Sequence, residues 1–150
     1  MRRYDEAIEH FCKAIDMEPN YWLAHLCLGQ VYERKSMYEE AIEEIQKARS
    51  LNSLNTILGI LGHAYAGSGK RAEAQKVLGE LKEMSKRGYV SPFFIALIHV
   101  GLGEKEQAFE CLEKALEDRS EWMTWLKVYP QLDSLRSDPR FTELMRRVGF

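Results

Sequence analysis

Residues 22–52 read WLAHLCLGQVYERKSMYEEAIEEIQKARSLN, and this stretch decides the fold. Its second half sets Ala41, Ile45 and Ala48 at steps of four and three, the spacing that lines up side chains on one face of a helix. Its first half carries Leu28-Gly29 with Tyr32 after it: a small residue beside a branched one, then a ring. A small residue has a physical use there, because it lets two helices cross closely. Lys35-Ser36-Met37 leaves room for a short turn, so the stretch predicts two helices packed as a hairpin.

The pattern repeats in both directions. Ala7, Ala41, Ala74 and Ala108 are separated by 34, 33 and 34 residues, with Glu6, Glu40, Glu73 or Gln107 before them. Four residues later come Phe11, Ile45, Leu78 and Leu112, and three further on Ala14, Ala48, Leu81 and Ala115. Leu28-Gly29 with Tyr32 returns as Leu61-Gly62 with Tyr65 and, weakened, as Ile95-Ala96 with His99. Gly67-Ser68-Gly69 and Gly101-Leu102-Gly103 fill the corresponding turns, where glycine is the expected left-handed cap. A fixed period of this length is the mark of stacked helix pairs.

These residues resemble tetratricopeptide repeats (TPR). Residues 22–52 match through Leu28, Gly29, Tyr32, Ala41, Ile45 and Ala48, and residues 55–86 through Leu61, Gly62, Tyr65, Ala74 and Leu78. Residues 90–118 match mainly in their second half, and the family's usual proline after the second helix survives only as Pro19. The resemblance implies an all-α, right-handed α-solenoid of about three full repeats with one preceding half-repeat and short C-terminal capping helices. Residues 1–21 are then the second helix of a repeat whose first helix is absent, residues 22–53, 54–88 and 89–119 are repeats, and 120–150 are the cap. Such a start reads as a piece of a longer array, since one repeat helix cannot bury both apolar flanks alone. Asp138-Pro139 supplies an N-cap and a first-turn proline, and Phe141, Leu144, Met145 and Val148 predict a helix over 139–148. Arg140, Arg146 and Arg147 would give it a polar outer face. The ending from Asp138 to Phe150 also resembles the closing segments of bacterial TPR regions, which implies an attached signalling or regulatory domain. The rival readings are a plain antiparallel helix bundle and a pentatricopeptide RNA-binding array.

Composition narrows the function. Apolar residues make up 45% of the 150, enough for a core, and 21 basic against 23 acidic side chains leave a net charge of −2. That balance argues against a disordered tail and against nucleic acid held by counterion release, the RNA-binding array included. No window is apolar for the roughly 18 residues a membrane helix needs, so the expectation is a soluble, cytoplasmic chain away from membranes. Cys12, Cys27 and Cys111 form no paired motif and read as small buried hydrophobes of a reducing compartment.

No catalytic pattern is present. His10, His25, His63 and His99 lack the spacing of a helical zinc site, and each reads as a structural histidine. Gly67-Ser68-Gly69-Lys70 caps a helix instead of cradling a phosphate. Glu39, Glu40, Glu43 and Glu44 are spaced as a solvated helix face with Lys35 and Lys47 as partners. No enzyme activity, metal or cofactor is expected.

The first helices, near residues 21–34, 54–67 and 90–101, should line a concave wall. Register assigns to it Leu26, Gln30 and Glu33, then Gly59, His63 and Ala66, then Phe93, Leu97 and Val100, with Leu23, Thr56 and Val90 continuing it. Clamps for chaperone C-termini in this family use lysine, arginine and asparagine there, which these residues are not. An apolar wall suits a protein partner that offers a peptide or helix; the alternative is cover by the chain's own C-terminal segment or by another protomer. The expected function is a non-catalytic interaction scaffold, or an oligomerisation module of a larger protein. Tyr4, Ile8 and Phe11 on the first helix are expected to join a homodimer.

Overall fold

The computed structural model describes residues 2–150. Seven helices follow one another as antiparallel neighbours: α1 (Arg2–Met17), α2 (Trp22–Arg34), α3 (Tyr38–Leu51), α4 (Asn55–Gly67), α5 (Arg71–Ser85), α6 (Pro92–Gly101) and α7 (Lys105–Glu117). Two 3-10 turns, Glu121–Trp125 and Pro130–Leu135, then lead to α8 (Pro139–Val148). There is no strand among the described residues.

The recurrent ring residue marks where each hairpin turns. The carbonyls of Tyr32, Tyr65 and His99 accept from the amides of Met37, Lys70 and Glu104, each at 2.9 Å, closing the same six-residue loop three times. Within it one residue must take the left-handed conformation: Gly69 (φ 84) and Gly103 (φ 76) do so freely, and Ser36 (φ 60) does so with a side chain.

The small residues lie at the helix crossings. A Cβ on Gly29 would come within 2.6 Å of Ile45 Cγ1 and 3.1 Å of the Ala41 carbonyl oxygen, so α2 touches the backbone of α3. A Cβ on Gly62 would sit 2.6 Å from Ile98 Cγ1, which brings α4 equally close to α6. Around these crossings Ile45, Ile57, Leu81, Phe93, Leu97, Ile98 and Leu112 are all fully buried in one continuous core.

Two expectations need correction. Glu44 does not belong to a solvated face: its carboxylate accepts from Nδ1 of the buried His25 at 2.7 Å, and Lys35 turns to Asp5 instead. The helix over 139–148 forms as expected, capped by Asp138, but its arginines do more than face water. Arg140 lies 4.2 Å over the Phe109 ring while pairing with Glu106, and Arg147 pairs with Glu113, so both fasten α8 to α7. Arg146 alone stays on its own helix, with Glu143.

The crossings make a contrast that urea unfolding can measure. Gly62→Leu should lower stability by about 1–3 kcal/mol, because the buried Ile98 has nowhere to retreat. Gly79→Ala, where an added Cβ meets nothing within 4 Å on the exposed side of α5, should raise it by about 0.5–1 kcal/mol. Equal effects at the two sites would contradict the helix register.

Candidate functional site

After α7 the chain does not stop at the end of the stack. Residues 121–135 return across the first helices on the concave side. Phe93 of α6 is fully buried beneath them, stacked on Trp122 at 6.4 Å and meeting Tyr129 edge-on at 5.3 Å. The Tyr129 hydroxyl reaches α4, where it shares a hydrogen bond of 3.1 Å with Thr56 Oγ1. The Gln131 amide reaches α2 and donates to Glu33 Oε2 at 3.3 Å, while Nδ1 of His63 donates to the other oxygen of the same carboxylate. Arg34 pairs with Asp133, and its guanidinium also donates to the Tyr4 hydroxyl of α1. Burial pushes the Asp133 carboxyl up, but hydrogen bonds from Arg136 and Arg34 outweigh that and hold it below its ordinary value.

This returning segment is a permanent part of the fold. Met123, Leu126, Leu132 and Leu135 are at most 3% exposed, and at about 1.5–3 kcal/mol for each buried side chain they anchor it firmly. Their gain also offsets the orphaned Gln131 Oε1, which is buried without a hydrogen-bond partner.

The wall assigned from the sequence is therefore closed along most of its length. Leu26, Glu33, Thr56, Gly59, Phe93, Leu97 and Val100 are buried, Gly59 with its backbone against Phe94. Leu23 is exposed, and Gln30, His63 and Ala66 keep partial exposure. Phe93 and Leu97 thus belong to the core instead of an open groove, because Trp122, Tyr129 and Leu132 occupy the space in front of α6.

What stays open lies at the α2 end. A cleft of roughly 560 Å³ runs between Tyr4 and Phe11 of α1, Cys27 and Val31 of α2, and Trp125 and Val128 of the returning segment. Trp125 is 52% exposed and Val128 61%. Of the residues assigned to the wall, Gln30 lines this cleft; of those assigned to self-association, Tyr4 and Phe11 do, and Ile8 is half-buried nearby on α1. Cys27, Val31, Trp125 and Val128 were missed. The aromatic run Trp122-Met123-Thr124-Trp125, standing outside the repeat pattern, was the available signal.

A profile of tetratricopeptide repeats matches residues 93–117. The profile of regulator of microtubule dynamics protein 1-3 matches residues 2–57. No curated protein matches the chain. The crystal structure of MamA superposes with a TM-score of 0.53 at 20% identity, over 96% of this chain and 85% of that one. The tetratricopeptide-repeat match covers one helix pair, and the likeness to MamA shows the fold of stacked helix pairs.

The cleft lies where α1 and α2 meet beneath the returning segment. Burial raises all three thiols, Cys111 to about 11, which leaves them poor nucleophiles at neutral pH. No group of three or more His, Cys, Asp or Glu side chains is placed to hold a metal among the described residues.

The closed wall predicts how the helical core answers to charge. Phe93→Glu with Leu97→Glu puts two carboxylates where no solvent reaches, each costing several kcal/mol against a typical domain stability of about 5–15 kcal/mol. Helical circular dichroism should fall and the melting transition should broaden or vanish. A cooperatively folded double variant would show that residues 121–135 do not pack on α6 as described.

Proposed function

We propose that this TPR domain is a non-catalytic scaffold that takes an apolar segment of a partner protein in the cleft between α1, α2 and residues 125–130. One observation carries the reading: large side chains from three separate elements converge on a water-open cleft without being covered. Tyrosine and tryptophan at such a place are the side chains that dominate binding energy in protein interfaces. The charge at the rim is already neutralised, since Arg34 pairs with Asp133. The segment therefore needs apolar anchors more than a counter-charge, and Gln30 offers amide donors and an acceptor to its main chain. The free thiols of Cys12, Cys27 and Cys111 suit a reducing, cytoplasmic setting. No helix of the described residues is long and apolar enough to cross a membrane.

A second reading, self-association, rests on the half-burial of Tyr4, Ile8 and Phe11. A two-fold pairing through α1 would make this an oligomerisation module for a larger protein. Light scattering separates the two: a mass of two chains at micromolar concentration, returning to one with Phe11→Asp, would replace the scaffold reading.

Selection from a random peptide library tests the scaffold directly. The wild-type chain should enrich peptides rich in large apolar residues, and Val128→Glu should weaken them at least tenfold, leaving the melting temperature unchanged because Val128 faces water. Enriched peptides indifferent to Val128→Glu, or no enrichment at all, would dismiss the cleft.

A further inference from the structure

The two edges of the stack differ in what they show to water. At the edge of the hairpin turns after Tyr32, Tyr65 and His99, no large apolar side chain is exposed among the described residues. At the opposite edge a second helix ends and the next first helix begins, and three successive loops each expose two. These are Met17 and Tyr21 at the α1–α2 loop, Leu51 and Leu54 at the α3–α4 loop, and Met84 and Tyr89 at the α5–α6 loop. Met17, Leu51 and Met84 are 34 and 33 residues apart, the period of the helix pairs themselves. The next place in that series is Asp118, and there the row ends. Stacking of the pairs sets the three loops side by side, so the six side chains form one strip of three rungs. Large apolar side chains scattered singly need no explanation, whereas a contiguous exposed strip rimmed by polar residues marks an interaction surface.

The charges around the strip are divided by sign. Beside the first rung stand Asp16 and Glu18, both exposed, and beside the third stands Arg87, also exposed. None of the three has an ion-pair partner among the described residues. Lys86 next to Arg87 is held by Glu83, and Arg49 near the middle rung is taken up by Glu80. Past the third rung Asp118 is engaged by Lys114 and by the Tyr89 hydroxyl, and that fourth loop adds no exposed large apolar side chain. The strip therefore has an acidic end, a neutral middle and a basic end. Three equal rungs with opposite charges at the two ends are complementary to themselves. Turned half a circle about the middle rung, the acidic end falls on the basic end.

We propose that this edge is a contact between two copies of the chain, related by a two-fold axis through the middle rung. Leu51 and Leu54 meet their own counterparts. Met17 and Tyr21 of one copy meet Met84 and Tyr89 of the other, and Asp16 and Glu18 face Arg87 at each end. Between the second and third rungs the surface drops into a recess of roughly 520 Å³ bordered by Leu54, Tyr89 and Trp122, which gives the other copy's Tyr21 ring room to enter. A lipid surface fits less well, because Asp16 and Glu18 would be carried against its anionic headgroups. None of the six side chains lines the cleft between α1 and α2, so this contact is separate from the peptide site and from any pairing through α1.

Sedimentation velocity on the full chain tests the contact. The wild type should show a concentration-dependent mass of two chains in the micromolar range. Leu54→Asp should leave it monomeric, because the two-fold axis sets the new carboxylates against each other. That position is the N-cap of α4 with extended backbone, where aspartate is favoured, so the helix is kept. Glu18→Arg alone and Arg87→Glu alone should each weaken the pair at least tenfold, since the symmetry repeats each change twice and brings like charges together. Both changes in one chain should restore the pair, because arginine again faces glutamate at each end. A monomer at every concentration, a pair indifferent to Leu54→Asp, or a double variant no tighter than either single one overturns the proposal. A pair lost with Phe11→Asp and kept with Leu54→Asp overturns it in favour of α1. A wild-type monomer that co-sediments with phosphatidylcholine vesicles, and no longer does so with Leu54→Asp, overturns it in favour of lipid. Capture of library peptides and its dependence on Val128 are read separately, so the scaffold reading stands or falls on its own result.

Discussion

Ala41, Ile45 and Ala48 lose all solvent exposure because α2 covers one flank of α3 and α4 covers the other. A helix in a stacked array is stable only when both flanks are covered, since each turn contributes through apolar area that its neighbours remove from water. The rest of the molecule answers that demand. Gly29 and Gly62 bring the covering helices close enough to exclude water. At the α7 end, Phe109 would be left bare, and α8 covers it with the Arg140 guanidinium stacked on its ring. Among the described residues, α1 is packed mainly against α2, and Tyr4 and Phe11 line the cleft.

The charged surface plays a smaller part. Pairs such as Arg49 with Glu80, Lys70 with Glu39 and Arg71 with Glu104 link successive repeats, but their members are largely exposed to water. Exposed pairs of this kind contribute about 0–1 kcal/mol each. They are compatible with the stacking register without setting it; fully buried residues such as Ile45, Leu81 and Leu112 set it. The buried Glu33 differs, because His63 and Gln131 both donate to it and join three elements at one point. Its value lies in direction: it tells residues 130–135 where to land, while Leu132 and Leu135 supply the adhesion.

The landing of residues 121–135 has a functional consequence. By filling the concave face before α4 and α6 with Trp122, Tyr129 and Leu132, the chain consumes most of the surface that stacked first helices would otherwise offer to a ligand. The open surface is thereby confined to the cleft on the side of α2 that carries Cys27 and Val31, to which the returning segment itself contributes Trp125 and Val128. One segment both closes the broad groove and builds one wall of the narrow cleft.

The repeat period, the hairpin turns after Tyr32, Tyr65 and His99, the crossings at Gly29 and Gly62, and the helix over 139–148 were all legible in the amino-acid order. Each depends on contacts between residues a few positions apart or one repeat apart, and such contacts leave a periodic trace. The cleft was only partly legible. Tyr4 and Phe11 were assigned to a self-association face and Gln30 to the wall, and all three line the cleft, whereas Phe93 and Leu97 were assigned to an open wall that is in fact covered. Their cover comes from pairings such as Thr56 with Tyr129, 73 residues apart, and Glu33 with Gln131, 98 residues apart. No period connects those residues. The sequence determined which face of each first helix looks inward; only the tertiary structure decided what that face meets, because a non-repeating segment is steered by the shape and hydrogen-bonding groups of a surface that exists only after the repeats have stacked.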